Sequence, residues 1–220
     1  AARDAEAATL ASLPKFPGRV NPYTNPERLL SRRNYVLDRM VEDALTAVRA
    51  GGVMILLSDR EQTAERYPVP ALLVAGAIHQ ALIQNGLRCD ANIVVETAST
   101  RDPHQFAVLI GCGATTVYPW LAFDLLTDLM AGADAETVEK ALSKYRKGIE
   151  KGLFKILSKM GISAIQSYRG AQLFEAVGLH AEVVNRCFPN VECRIQGATF
   201  ADLEADARAL HAQAFDARVN

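Results

Sequence analysis

The residues best suited to chemistry fall into four short sets: Ser58-Asp59-Arg60, Glu96-Thr97-Ala98-Ser99, Tyr118-Pro119-Trp120 and Gln166-Ser167-Tyr168-Arg169. Together they hold two carboxylates, two arginines, several hydroxyls and the only tryptophan of the chain. Two opposed carboxylates can divide the work of general acid and general base. The same residues fit a second role, in which Asp59 and Glu96 pair with Arg60, with Arg169 or with a neighbouring domain. The second role is favoured, because no nucleophile, metal set or phosphate loop accompanies them. No serine sits in a GxSxG turn, no two histidines have metal spacing, and Asp102 stands two residues before His104. His79 lies among alanines and leucines, the setting of a core or interface histidine.

What must position these sets is a series of alternating elements. Residues 1–35 read as an irregular segment, punctuated by Pro14, Pro17, Pro22 and Pro26. A helix pattern then starts at Asn34, with Val36, Leu37, Met40, Val41, Ala44, Leu45 and Val48 at helical spacing, and stops at Gly51-Gly52. The unbroken apolar run Val53 to Leu57 suits a strand buried on both faces, as in a parallel sheet. The order repeats: helix Pro70 to Asn85, strand Ala91 to Val95, helix His104 to Gly111, strand Thr115 to Tyr118. A long helix from about Ala135 to Met160 leads to strand Ile162 to Ile165 and helix Ala171 to Val177. This predicts an α/β fold of four successive βα units, half of a β/α-barrel-like parallel sheet, and therefore incomplete alone. The unit spans 36–199, and residues 200–220 form a last amphipathic helix through Phe200, Leu203, Ala207, Leu210 and Ala214. All four chemical sets follow strands, where β/α proteins carry their function.

The glycines point the other way. Gly51, Gly52, Gly86, Gly111, Gly113, Gly161 and Gly178 follow helices rather than strands. A phosphate cradle needs glycine after a strand and before a helix, so Gly111-Cys112-Gly113-Ala114 reads as a helix end. Among the cysteines, Cys89, Cys112, Cys187 and Cys193, no CxxC pair occurs. Cys187 and Cys193 resemble part of an iron–sulfur ligand set, but Ala198 stands where a third would fit. Free, structural thiols are the expectation.

Half of the residues are apolar and 22 % are charged, the profile of a soluble domain with a real core. With a net charge of −1, no field draws nucleic acid or anionic lipid. The helix 135–160 carries a basic stripe, Lys140 to Lys159, opposite an apolar seam of Val138, Leu142, Tyr145, Ile149, Leu153, Ile156 and Met160. Glu136, Glu139 and Glu150 interrupt it, so a solvated or domain-facing surface is expected, with an interaction module as the alternative. No run of 18 apolar residues and no signal peptide is present, which reads as cytoplasmic or an organelle matrix.

The same segments carry a family resemblance. Leu57-Ser58-Asp59-Arg60, Pro68 to Leu73, Val94 to Ala98, Asp102 to Leu109, Tyr118 to Ala122 and Gly148 to Leu153 occur in order. The most specific stretch is Ser158-Lys159-Met160-Gly161-Ile162-Ser163-Ala164-Ile165-Gln166-Ser167-Tyr168-Arg169-Gly170-Ala171, running on to Leu179. From about 53 to 197 the chain resembles the central domain of the glutamate synthase large subunit. That resemblance implies a polypeptide in which an amidotransferase domain hydrolyses glutamine and ammonia crosses an internal tunnel. An FMN-binding synthase domain then reduces the imine formed with 2-oxoglutarate. A 3Fe-4S cluster relays electrons from an electron-donating subunit or ferredoxin. It places FMN and cluster in other domains, so no cofactor and no catalytic residue is carried onto this chain. Ser58, Asp59, Arg60, Glu96, Tyr118, Trp120, Tyr168 and Arg169 become candidates for an interface or tunnel wall. The alternative is a stand-alone β/α enzyme using the strand-end set. Three departures stand out: Gln80 and Gln105 beside the histidines, Trp120 for a usual tyrosine, and Gln196 before Gly197, which puts a close glycine turn in question. The extra strand expected before the first helix is not seen in the sequence.

Overall fold

A computed structural model describes residues 8–9, 26–171 and 173–215, with side chains from residue 36 onward. Four parallel strands lie in sequential order: β1 (Ala8–Thr9), β2 (Met54–Ser58), β3 (Asn92–Glu96) and β4 (Thr116–Tyr118). Helices α1 (Pro26–Arg49), α2 (Ala71–Gln84) and α3 (Pro103–Gly111) make the crossovers. After β4 come α4 (Trp120–Leu129), α5 (Ala135–Lys159), α6 (Ile165–Tyr168), α7 (Ala181–Cys187) and α8 (Phe200–Ala214). The fold is α/β with a parallel sheet. Among the described residues no helix is long and apolar enough to cross a membrane.

The register puts alternate residues on opposite faces. Ile55, Leu57, Ile93 and Val95 are buried against α1 and α2, where Leu37, Met40, Val74, Ile78 and Leu82 complete the core. Each such side chain contributes about 1.5–3 kcal/mol by leaving water. Phe200 and Leu203 of α8 join the same core. The opposite face holds Met54, Leu56, Ser58, Asn92, Val94, Glu96, Thr116 and Tyr118. Met54 is 54 % and Tyr118 38 % exposed, Asn92 and Thr116 are exposed, and Leu56 and Val94 are half-buried. The expectation of strands buried on both faces is therefore met on one face only.

The sequence reading needs four further corrections. First, the segment 1–35 is not irregular throughout: α1 already begins at Pro26, a proline suited to a helix start, and Ala8–Thr9 pairs with Leu57 and Ser58. That pairing supplies the strand that seemed missing; residues 1–7 and 10–25 lie outside the described residues. Second, Ile162 to Ile165 form no strand. Ile162, Ile165 and Tyr168 pack instead with Ala107, Ile110, Leu153, Ile156 and Leu157 in a second core between α3 and α5. A short apolar run has the same appearance in either role. The four βα units as placed from the sequence thus lose their last member.

Third, residues 173–177 form no helix. Ala176 and Gly178 donate backbone N–H groups to Glu192 and Ile195, and isolated parallel bridges join Ala176 to Cys193 and Leu179 to Ala198. The close turn questioned at Gln196-Gly197 is kept there: a Cβ on Gly197 would stand 2.7 Å from the Gly178 carbonyl oxygen. Fourth, α4 and α7 are helices that the sequence reading did not place, and residues 216–220 of the expected C-terminal helix lie outside the described residues.

Candidate functional site

At the C-terminal ends of the strands, Asp59 is buried at 6 % exposure, directly after β2. Neutral donors surround it. The Thr97 hydroxyl donates to Oδ2 at 2.6 Å, the Ala98 N–H reaches both oxygens at 3.0 and 3.1 Å, and the Trp120 indole N–H donates to Oδ1 at 2.6 Å. One carboxylate thus ties the loops after β2, β3 and β4. Thr97 is fixed in turn by Ser99, whose N–H donates to the Thr97 Oγ1 at 3.1 Å.

Glu96, the last residue of β3, has a separate set of partners. Ser58 Oγ donates to its Oε2, and Arg60 Nη1 lies 3.3 Å from its Oε1. Arg60 also stands 3.6 Å from Asp124 Oδ2, with its guanidinium 5.5 Å from the centre of the Trp120 ring. The Glu96 hydrogen bond is the main cause that raises the Arg60 pKa, opposed by desolvation and helped by the Asp124 charge. Tyr118 packs edge-on against Phe123 at 5.4 Å, and Phe123 against Tyr145 at 5.8 Å. The Tyr145 hydroxyl donates to the Arg101 carbonyl at 3.0 Å, so α5 braces the loop after β3.

Both carboxylates are therefore held by partners within the chain. A general acid or base must be free to exchange its proton with a substrate; Asp59, buried and filled by three donors, is not. Of the sequence-predicted site residues, Ser58, Asp59, Arg60, Glu96, Tyr118 and Trp120 meet at one end of the sheet. They form a clamp with an exposed rim of Arg60, Tyr118 and Asp124.

The family model described as glutamate synthase central domain matches residues 15–180. The chain belongs to that family. It is 41 % identical over 182 residues to "Glutamate synthase [NADH]" of Schizosaccharomyces pombe, covering 81 % of this chain and 9 % of the relative. With the Bacillus subtilis "Glutamate synthase [NADPH] large chain" identity is 39 %, over 81 % of this chain and 12 % of that one. The chloroplastic ferredoxin-dependent glutamate synthase of Spinacia oleracea gives 42 %, over 81 % and 12 %. The chain thus spans 9 to 12 % of the length of these relatives. A solved mutant flavocytochrome b2 with benzoylformate superposes at a TM-score of 0.46 and 20 % identity, over 60 % of this chain and 32 % of that one.

In this central domain Tyr168 and Arg169 do not join the strand-end set. Tyr168 is buried at 3 % exposure in the core between α3 and α5, and burial raises its pKa, with a smaller contribution from Cys112. Arg169 follows it to the opposite end of the sheet, because the Gly170 N–H donates to the Ile110 carbonyl near the end of α3. The expected pairing of Arg169 with Asp59 or Glu96 is thereby removed. The cause is the missing strand at 162–165, which would have carried the chain to the other end.

His79 is buried at 5 % exposure and sits at that opposite end. Its Nδ1 accepts from Arg88 Nε at 2.8 Å, and Arg88 also donates to the carbonyls of Ala91 at 2.9 Å and Gly113 at 2.8 Å. Burial and then the Arg88 charge push the His79 pKa down to about 4. A Cβ on Gly113, where φ is +110°, would stand 2.3 Å from His79 Nδ1. The alanine-rich helix around His79 identified a buried histidine; its arginine partner, nine residues later in a loop, left no pattern in the sequence. His104 is exposed in the first turn of α3, whose cap is Asp102 with Gln105 completing a capping box.

For FMN and an iron–sulfur cluster the residues present are a poor fit. The connections 59–70 and 97–102 after β2 and β3 contain no glycine to let backbone approach a phosphate. Cys112 and Cys187 are fully buried, and burial pushes both thiols up to about 12, whereas cluster ligands must be thiolates. Cys193 donates its thiol to the Leu179 and Ile195 carbonyls, and Cys89 is exposed. Among the described residues no three His, Cys, Asp or Glu side chains gather as a metal set.

Proposed function

We propose that this chain serves as a scaffold and ammonia-tunnel wall inside a glutamate synthase polypeptide, joining an amidotransferase domain to an FMN-binding synthase domain. On this reading it catalyses nothing alone. FMN and the 3Fe-4S cluster belong to other domains, and electrons arrive from an electron-donating subunit or ferredoxin. The supporting observation is the half-covered sheet face. Parallel sheets are ordinarily covered on both sides, yet Met54, Asn92, Thr116 and Tyr118 stand open beside the rim of Arg60 and Trp120. A half-barrel-like sheet needs a covering body on that side, and a neighbouring domain would supply it. The apolar part of that face, Met54 and Tyr118, is of a kind that marks interaction sites. The stand-alone enzyme finds no support in the strand-end carboxylates, which are already occupied. The basic stripe of α5 is partly neutralised on its own helix, Lys140 to Glu136 at 2.7 Å and Arg146 to Glu139 at 2.7 Å, as for a solvated face.

The test is the coupling between half-reactions in the polypeptide that carries this chain. With Arg60→Ala and Tyr118→Ala, glutamine hydrolysis should outrun glutamate formation while each half-reaction persists. Loss of one half-reaction outright, or a ratio unchanged by both substitutions, would remove the tunnel-wall role.

A further inference from the structure

At the N-terminal ends of the strands the chain gathers more hydrogen-bond donors than it supplies acceptors for. Arg88 Nε donates to His79 Nδ1, which fixes the imidazole proton of neutral His79 on Nε2. That edge of the ring faces Gly170: a Cβ there would lie 3.0 Å from both Cε1 and Nε2. Gly170 holds φ at +68°, so a side chain is disfavoured by conformation as well as by space. Among the described residues Nε2 has no hydrogen-bond partner. Neither does the guanidinium of Arg169, whose Nε is buried. Arg88 uses one N–H from each of its three nitrogens and keeps two others.

No acid answers these charges. Among the described residues neither Arg88 nor Arg169 forms an ion pair with a carboxylate; at the other end of the strands Arg66 also keeps a buried, unpartnered Nε, but no second guanidinium or unused imidazole N–H accompanies it. Burial chiefly, and next the charge of Arg169, lowers the Arg88 pKa. Two half-buried guanidinium groups repelling each other, beside a 95 % buried imidazole with its N–H unused, are costly unless an anion completes them.

We propose that His79, Arg88 and Arg169 form an oxyanion site built for a carboxylate. The guanidinium fork matches a carboxylate through parallel hydrogen bonds, and the His79 Nε2–H adds a neutral donor. The carboxylate comes either from a free dicarboxylate or from an Asp or Glu side chain of a neighbouring domain. The site holds whether or not the tunnel reading does. The charged and titratable groups around His79 are Arg88, Arg169 and, beyond Arg88, the exposed Cys89; no acid among them competes for its proton.

The probe is sodium glutarate, titrated into the full 220-residue chain against sodium chloride at constant ionic strength and followed by NMR of His79 and the arginine Nε–H signals. Saturable shifts at His79 and Arg169 are expected. The His79 pKa should rise from about 4 when glutarate is bound, since an anion favours the imidazolium. Arg169→Ala should weaken binding about tenfold or more, by loss of a charge-assisted hydrogen bond. Arg169→Lys, which keeps charge and fold but lacks the fork, should recover only part. No saturable shift in the folded chain overturns the site, and wild-type affinity in Arg169→Lys overturns the role of the fork. Inorganic phosphate binding tenfold tighter than glutarate overturns the assignment to a carboxylate. Repeating the titration in the glutamate synthase polypeptide separates the sources. Binding in both supports a free dicarboxylate, while binding in the chain alone supports a side chain already seated there.

Discussion

The two ends of one small sheet solve opposite electrostatic problems. Beyond the C-terminal ends of the strands, Asp59 is held by donors from the loops after β3 and β4, and Glu96 by Ser58 and Arg60 at the end of β2, so both carboxylates are occupied. Beyond the N-terminal ends, His79, Arg88 and Arg169 offer donors to an acceptor the described chain does not supply. A cluster of polar residues at a strand end is therefore not by itself a site. What separates structure from function here is whether the hydrogen-bond capacity is already spent. By that criterion the end favoured from the sequence is a clamp, and the neglected end is where we place a ligand.

The sharpest way to break this contrast is to empty the clamp. Asp59→Ala leaves the Thr97 hydroxyl, the Ala98 N–H and the Trp120 indole without their acceptor. We expect a loss of about 4 kcal/mol in unfolding free energy, read from denaturant melts. A loss under about 1 kcal/mol would mean that the three donors are satisfied by water and that no clamp exists.

The opposite end should announce itself through pH. His79 is held neutral in the folded chain, its pKa lowered to about 4, and the unfolded chain takes up the proton near the ordinary value of 6.5. Stability from this group is therefore complete above about pH 6.5 and drains away as the pH falls through 4. The loss is on the order of 3 kcal/mol. In His79→Gln the corresponding slope between pH 6.5 and 4 should vanish; an unchanged slope would assign it to other groups.

A smaller effect is expected for Trp120→Phe, which keeps the ring but withdraws one of the donors to Asp59. The cost should be about 1.5 kcal/mol, with the Thr97 and Ala98 bonds left to hold the carboxylate. A cost equal to that of Asp59→Ala would show that Trp120 alone organises the three loops. Smallest of all is Arg60→Ala. The guanidinium is exposed at the rim, so the melting midpoint of the chain should not move, and any effect should appear only in the larger polypeptide.

How far the sequence foretold this contrast depended on the range of the interactions. Strands β2, β3 and β4 and helices α2, α3 and α5 were legible because apolar period and glycine stops are local signals. The clamp was half legible: Asp59, Glu96 and Trp120 could be placed at strand ends, but Asp59 was matched with arginines when its partners are an amide, a hydroxyl and an indole. Ile162 to Ile165 misled because four apolar residues pack equally well between two helices. That single error moved Tyr168 and Arg169 across the molecule. The His79–Arg88–Arg169 meeting was beyond reach, since it joins three elements far apart in the chain and rests on glycines whose lack of a side chain is the whole signal. Residues 173–177 were read as a helix because apolar spacing over so few residues does not show that Ala176 and Gly178 donate their N–H groups to Glu192 and Ile195.

On the proposed reading the half-open sheet face is the side covered in a larger polypeptide, and it can be probed directly. Thr116 is exposed on β4, on that face, and a Thr116→Cys substitution in a Cys89→Ser background offers a thiol for maleimide labelling. The 220-residue chain should label rapidly. In the glutamate synthase polypeptide carrying the same substitutions, labelling should slow at least about tenfold, as burial under a neighbouring domain demands. Equal labelling rates in the two would contradict the proposal that this face is covered, and with it the scaffold role.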